Sequence, residues 1–142
     1  MKNGSDNYWH QVLHWEAQGL RHPLWRRIVF NMAVSNTDDH LRNHGFVLSG
    51  EGWKLSPVYD VNPDADGDVL SLNVDKDNNL IDYSLALSVS KMYEMSREQA
   101  EKVLDEIKGT VESNWKKLAQ KYGLHRGEIE RMMPAFDMNF KE

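Results

Sequence analysis

Residues 36–60 read NTDDHLRNHGFVLSGEGWKLSPVYD, and this stretch decides how the rest of the chain is interpreted. Asp38 and Asn43 lie five residues apart in its polar first part, and Asp60 follows Asp38 by 22 residues at its end. Aspartate and asparagine clusters of this kind are also common in turns. The spacing of the three side chains, together with the segment between them, is therefore the feature to explain.

The segment between Asn43 and Asp60 predicts a β-hairpin. Residues 45–49 and 53–56 form two short apolar runs, separated by a turn that contains two glycines. Short strands joined by a glycine turn are typical of a hairpin. Pro57 cannot donate to a sheet, so the second strand should end before it. The sequence thus places one polar loop on each side of a small hairpin.

The remaining sequence predicts helices. Apolar residues cover nearly the whole circumference over residues 24–35, which is typical of a helix buried inside a domain. Ser96 and Gln99 form a capping-box pair that opens a long helix, and Gly123 is its expected stop. The predicted fold class is α+β, mostly α. Shorter predicted elements are helices over 8–18, 83–94 and 127–133 and a strand over 69–74, with Gly19 and Pro23 interrupting the chain after the first helix.

Length and composition limit the classes of protein. The 142 residues suffice for one domain with a core, and the net charge of −5 comes without a basic stripe, so direct nucleic-acid binding is not expected. The absence of cysteine excludes disulfides and thiolate-bound metals. Neither a signal peptide nor a run long enough to span a membrane is evident, so we expect a cytoplasmic protein with no membrane contact.

The spacing of Asp38, Asn43 and Asp60 fits the needs of phosphoryl transfer. One carboxylate must orient the attacking hydroxyl and take its proton, while a second carboxylate and a neutral oxygen donor hold Mg²⁺ against the phosphates. In protein kinases the first Asp and the Asn share one loop at a five-residue interval, and the metal-binding Asp follows about twenty residues later. This sequence meets both intervals, with the predicted hairpin between them.

Four segments resemble the HipA-like serine/threonine kinases, the toxins of bacterial toxin–antitoxin pairs. Residues 36–46, with a T-D-x-H-x-[KR]-N core, and residues 53–60, which end in P-x-Y-D, are similar to the catalytic stretch of that family. Residues 70–74 and 112–119, the latter with Trp115 at its centre, resemble later parts of the family. The likeness runs from about residue 25 to about residue 140.

The resemblance implies the C-terminal lobe of a kinase that transfers the γ-phosphoryl group of ATP to a protein hydroxyl. Asp38 would be the catalytic base, and Asn43 and Asp60 would bind Mg²⁺. His40 and Arg42 would be cofactor-binding residues. Both would shape the loop, and Arg42 would also help to neutralise the charge of the phosphates. The implied partners are a protein substrate and a DNA-binding antitoxin.

The sequence departs from a complete kinase before Asp38. Only 37 residues precede it, without a G-x-G-x-x-G motif or a lysine in a V-A-x-K-like strand. We therefore expect a single domain over residues 1–142, whose ATP-gripping N-terminal lobe is missing or comes from a partner chain. Catalysis by this chain alone is not expected. The first alternative is a lobe remnant that binds a partner without catalysis.

A metal-dependent hydrolase that uses Asp38, Asp39, His40 and His44 is the second alternative. The two histidines are four residues apart, a spacing that suits zinc on a helix. The adjoining predicted strand argues against a helix there, and no third ligand is evident, which favours structural histidines. Asp39 lacks the five-residue relation to Asn43, so it is expected to be a solvated neighbour of the base.

Overall fold

The computed structural model describes residues 19–142, so the helix predicted over 8–18 lies outside the described residues. The described part is mostly helical and has one two-stranded antiparallel sheet, which confirms the α+β, mostly α class. Its main elements are α1 (Arg21–Ala33), β1 (Phe46–Ser49), β2 (Gly52–Leu55), α2 (Tyr83–Ser88), α3 (Arg97–Lys121) and α4 (Arg126–Met132). Short 3-10 helices lie at Leu41–Asn43, Ser90–Tyr93, Met133–Phe136 and Asn139–Lys141.

Helix α1 forms the centre of the core. Its residues Trp25, Ile28 and Met32 are fully buried, and the helix packs against α2, α3 and the 3-10 helix Ser90–Tyr93. This confirms the buried helix that the apolar circumference predicts. The polar loop that follows α1 therefore begins at the end of a helix that is packed on several sides.

The start of α1 differs from the prediction. Gly19 lies just before α1 and has a φ of 93°, a left-handed value that favours glycine. Pro23, however, does not interrupt the helix, because α1 begins at Arg21 and Pro23 lies in its first turn. The N–H groups of a first turn have no partner within the helix, so a proline there removes no hydrogen bond.

The predicted hairpin is confirmed. Strands β1 and β2 pair in an antiparallel register in which Phe46 faces Leu55 and Leu48 faces Trp53. The turn needs a glycine at Gly52, where φ is 108°. Beyond β2, the N–H of Ser56 donates to the carbonyl of Gly45 at 2.9 Å, which extends the pairing by one step.

The strand predicted over residues 69–74 is wrong. The alternation is real, because Leu70, Leu72 and Val74 are buried, but the segment has only single-residue bridges, one at Asn73 and one from Val69 to Leu80. Leu70 is bonded to one residue of the following turn: its N–H donates to the carbonyl of Asn79 at 2.7 Å, and its carbonyl accepts the amide Nδ2 of Asn79 at 2.7 Å. The alternation of apolar residues therefore predicted which side chains are buried, but it did not predict correctly that the segment forms a strand.

The later helices agree with the predictions, except that one predicted helix is divided into two shorter ones. The helix predicted over residues 83–94 ends at Ser88, whose hydroxyl donates to the carbonyl of Leu85, and a 3-10 helix follows. The long helix α3 carries the predicted capping box of Ser96 and Gln99 and stops before Gly123, where φ is 87°. The helix predicted over 127–133 is α4. None of the helices within residues 19–142 is long and apolar enough to cross a membrane.

Candidate functional site

The loop that leaves α1 is fixed at its start by the C-terminal segment of the described chain. Ser35 has a φ of 53°, unusual for a residue with a side chain, and its hydroxyl donates to the carbonyl of Ala135 at 2.7 Å. The Lys141 ammonium donates to the same carbonyl at 2.6 Å and to that of Ala33 at 2.9 Å. Ala33 belongs to the last turn of α1, whose carbonyls lack partners within the helix, so Lys141 caps this helix end.

Asp38 and Asn43 are joined by a hydrogen bond within the loop. The amide Nδ2 of Asn43 donates to the backbone carbonyl of Asp38 at 2.9 Å, while the Asp38 carboxylate is exposed. The bond uses the nitrogen of the Asn43 amide, so its oxygen is the end that a hard cation would use. His40 approaches the same carboxylate, with Nε2 at 3.6 Å from Asp38 Oδ1.

Asp39 is not the solvated neighbour that the spacing suggested. It is fully buried, and its Oδ1 accepts the N–H of Ser71 at 2.7 Å. The hydroxyl of Ser71 donates to the carbonyl of Thr37 at 2.6 Å. A buried carboxylate requires donors of this kind, which explains why Asp39 turns inward while Asp38 turns outward.

His44 is a buried histidine that supports the loop. Its Nε2 lies 3.2 Å from the backbone carbonyl of Asp39. Burial lowers the pKa of His44 to about 4, against the opposing effect of that hydrogen bond, so its ring is neutral near pH 7. This agrees with the structural role predicted for the histidine.

The residue before Asp60 contacts the loop that carries Asn43. The hydroxyl of Tyr59 donates to the backbone carbonyl of Arg42 at 2.8 Å, so neighbours of Asp60 and of Asn43 are in direct contact. The side chain of Arg42 is exposed. Two segments separated by the hairpin are thereby joined through residues adjacent to Asn43 and Asp60.

Further hydrogen bonds join the same two segments. The N–H of Asn62 donates to Asn36 Oδ1 at 3.2 Å, and the N–H of Asp64 donates to the carbonyl of Ser35 at 2.9 Å. The Thr37 hydroxyl donates to Asp64 Oδ2 at 3.2 Å. The two loops are therefore connected at several points rather than through Tyr59 alone.

The backbone of Asp60 has a left-handed conformation. Its φ is 54°, and its Oδ1 accepts the amide Nδ2 of Asn62 at 3.0 Å. Residues other than glycine are uncommon in this region, and such positions concentrate at functional sites. The left-handed conformation therefore indicates Asp60 as a candidate site residue independently of the sequence motif.

The cluster required by the hydrolase alternative is not assembled. Within residues 19–142, no group of three or more His, Cys, Asp or Glu side chains is arranged to hold a metal ion. The Asp39 carboxylate accepts from Ser71, and the His44 ring faces a backbone carbonyl. Asp38, Asp39, His40 and His44 are therefore divided between exposed and buried positions.

Sequence reasoning missed the residues that hold the loop in place. The sequence predicted no role for Ser71 or Asn36, and it indicated Tyr59 only as part of the P-x-Y-D motif. A signal existed for Ser71, since it is a polar residue between the apolar residues Leu70 and Leu72. The partners of these side chains are distant in the sequence, so nothing local identified them.

A family model described as the HipA-like C-terminal domain matches residues 8–115, which is more than half of the chain. No curated protein and no solved structure gives a significant match. The matched residues include Asp38, Asn43 and Asp60 together with Ser71. The chain belongs to the HipA-like C-terminal domain family.

Proposed function

We propose that this chain is the C-terminal lobe of a HipA-like protein serine/threonine kinase, which transfers the γ-phosphoryl group of ATP to a protein hydroxyl. The observation that supports the proposal is the hydrogen bond from Tyr59 to the Arg42 carbonyl, because it joins the segment of Asp60 to the loop of Asp38 and Asn43. Membership of the family supports the same assignment.

Each residue of the site has a distinct proposed role. Asn43 and Asp60 would hold Mg²⁺, which when bound neutralises charge on the phosphate oxygens. The exposed Asp38 carboxylate would orient the substrate hydroxyl and accept its proton. His40, at 3.6 Å from Asp38 Oδ1, would help to orient that carboxylate, and the exposed Arg42 side chain would face phosphate charge.

The proposed activity also requires groups from outside this sequence. Residues 1–142 contain no G-x-G-x-x-G motif and no V-A-x-K-like strand lysine, the elements that grip the phosphates in protein kinases. An N-terminal lobe from another segment or chain would supply them. A protein substrate and a DNA-binding antitoxin are the further partners we propose, both from the family resemblance.

The metal assignment can be tested without turnover. Mn²⁺ replaces Mg²⁺ at oxygen sites and broadens nearby NMR signals, so a ¹⁵N-labelled chain titrated with Mn²⁺ and ATP locates the site directly. We expect the amides of Asn43 and Asp60 to broaden first. Asn43→Ala and Asp60→Ala should each abolish this broadening, because each removes one of two oxygen ligands.

Asp66→Ala is the matched control, since Asp66 is an exposed aspartate in the same loop as Asp60 and should leave the broadening unchanged. Asp38→Asn should also keep it, because Asp38 is assigned to the hydroxyl rather than to the metal. Broadening centred on Asp64, Asp66 and Asp68 and insensitive to Asn43→Ala would contradict the proposal.

A second candidate function, partner binding without catalysis, is favoured by the outer face of the hairpin. Leu48 and Trp53 face each other across the strands and are 65% and 51% exposed. Contiguous exposed apolar residues are a feature of protein contact surfaces. A purely partner-binding lobe would give no Mn²⁺ response at Asn43 and Asp60, so the same titration separates the two candidates.

A further inference from the structure

Ser71 contacts the residues on both sides of Asp38. Its N–H donates to Asp39 Oδ1 at 2.7 Å, and its hydroxyl donates to the carbonyl of Thr37 at 2.6 Å. We propose that Ser71 is a positioning residue for Asp38: it fixes the backbone on either side of the carboxylate that receives the substrate proton. This inference rests on the proposed function, because it assumes the role of Asp38.

Ser71 is itself attached firmly to the core. Leu70 and Leu72 on either side of it are 1% and 2% exposed, so the backbone between them has little freedom. Asp39, its partner, is a fully buried carboxylate, and such a group strongly favours a conformation in which it keeps its donors. The bond to Asp39 therefore holds the loop in a fixed position relative to the core.

Thr37 is held from its other side as well. A Cβ atom added to Gly67 would lie 2.3 Å from the Thr37 methyl group, so the chain at Gly67 packs directly against this side chain. The Thr37 hydroxyl also donates to Asp64 Oδ2. Thr37 and Asp39 are thus fixed through several contacts, whereas the Asp38 side chain between them is exposed.

The segment of Asp60 depends on a different contact. The hydroxyl of Tyr59, next to Asp60, donates to the carbonyl of Arg42, whereas the Asn43 amide donates to the carbonyl of Asp38 itself. Removal of the Ser71 hydroxyl should therefore loosen Asp38 while leaving the Mn²⁺ response at Asp60 in place. This selectivity distinguishes a positioning residue from one that merely stabilises the fold.

The test compares Ser71→Ala with Ser88→Ala. Both variants delete a serine hydroxyl that donates to a backbone carbonyl, at 2.6 Å and 2.7 Å, but Ser88 lies at the end of α2, outside the site. Ser71→Thr keeps the hydroxyl and serves as the rescue variant. The readouts are the ¹⁵N order parameter of Asp38 and the Mn²⁺–ATP broadening at Asp60.

In the parent chain and in Ser88→Ala, the order parameter of Asp38 should be near the rigid value of about 0.85. In Ser71→Ala it should fall below the value of Ser88→Ala with the Mn²⁺ broadening at Asp60 retained, because only the hydroxyl bond to Thr37 is lost, and Ser71→Thr should restore it. An unchanged order parameter in Ser71→Ala would overturn the proposal, as would simultaneous loss of the Mn²⁺ response. If the parent chain itself shows no Mn²⁺ response, the proposed function fails, and the order parameters still decide whether Ser71 fixes Asp38.

Discussion

Lys141 places an ammonium group in the interior, where only 5% of the residue is exposed. Burial lowers its pKa from 10.5 to about 8, and the nearby Asp137 carboxylate opposes that change. Because a lysine in the unfolded chain keeps its ordinary pKa, the unfolded state binds more protons between these two values. The free energy of unfolding should therefore rise as the pH increases from 8 toward 10.5.

Lys141→Met removes this titration, so we expect the pH dependence to be weaker in the variant by roughly 1 kcal/mol between pH 8 and pH 9.5. Urea denaturation of both chains at the two pH values measures the difference. Lys117→Met, at an exposed position of α3, is the control and should keep the parent slope. An identical slope in Lys141→Met would mean that the buried ammonium does not carry the effect.

At the scale of the element, α3 depends on the capping box at its start. The hydroxyl of Ser96 accepts the N–H of Gln99 at 3.1 Å, and the Gln99 side chain accepts the N–H of Ser96 at 2.9 Å. Ser96→Ala should lower the free energy of unfolding by about 1 kcal/mol, because it leaves a first-turn donor without its acceptor. Urea denaturation at pH 7 measures this loss.

Ser113→Ala is the control for the cap, since Ser113 is exposed in the interior of the same helix. Alanine is the better helix former at such a position, so stability should stay the same or increase by a few tenths of a kcal/mol. Equal losses in Ser96→Ala and Ser113→Ala would show that the cap is not the stabilising feature.

At the scale of the whole molecule, Trp25 connects helices that are distant in the sequence. It is fully buried in α1, and its indole N–H donates to the carbonyl of Ala86 in α2 at 2.9 Å. Trp25→Phe should lower the free energy of unfolding by roughly 1–3 kcal/mol, because it leaves that buried carbonyl unpaired and removes apolar contacts. Trp53→Phe changes an exposed tryptophan on the hairpin and should cost well under 1 kcal/mol in the same urea titration. Similar losses in the two variants would contradict the central role of Trp25.

The sequence alone determined the features whose causes are local. The capping box at Ser96, the left-handed stop at Gly123 and the hairpin between Asn43 and Asp60 each follow from a few neighbouring residues, and all three are present. The apolar circumference of α1 likewise predicted a buried helix. The spacing also indicated three candidate site residues, Asp38, Asn43 and Asp60.

Tertiary structure decided everything that depends on partners distant in the sequence. Asp38 and Asp39 are adjacent and chemically identical, yet one is exposed and the other fully buried, because Ser71 lies 32 residues after Asp39 and donates to it. The segment 69–74 has the alternation of a strand but makes only single-residue bridges, at Val69 and Asn73, and the side chain of Asn79 satisfies the carbonyl of Leu70. Burial and hydrogen-bond satisfaction are properties of the assembled chain, so local patterns predicted which residues matter and the tertiary contacts decided which way they face.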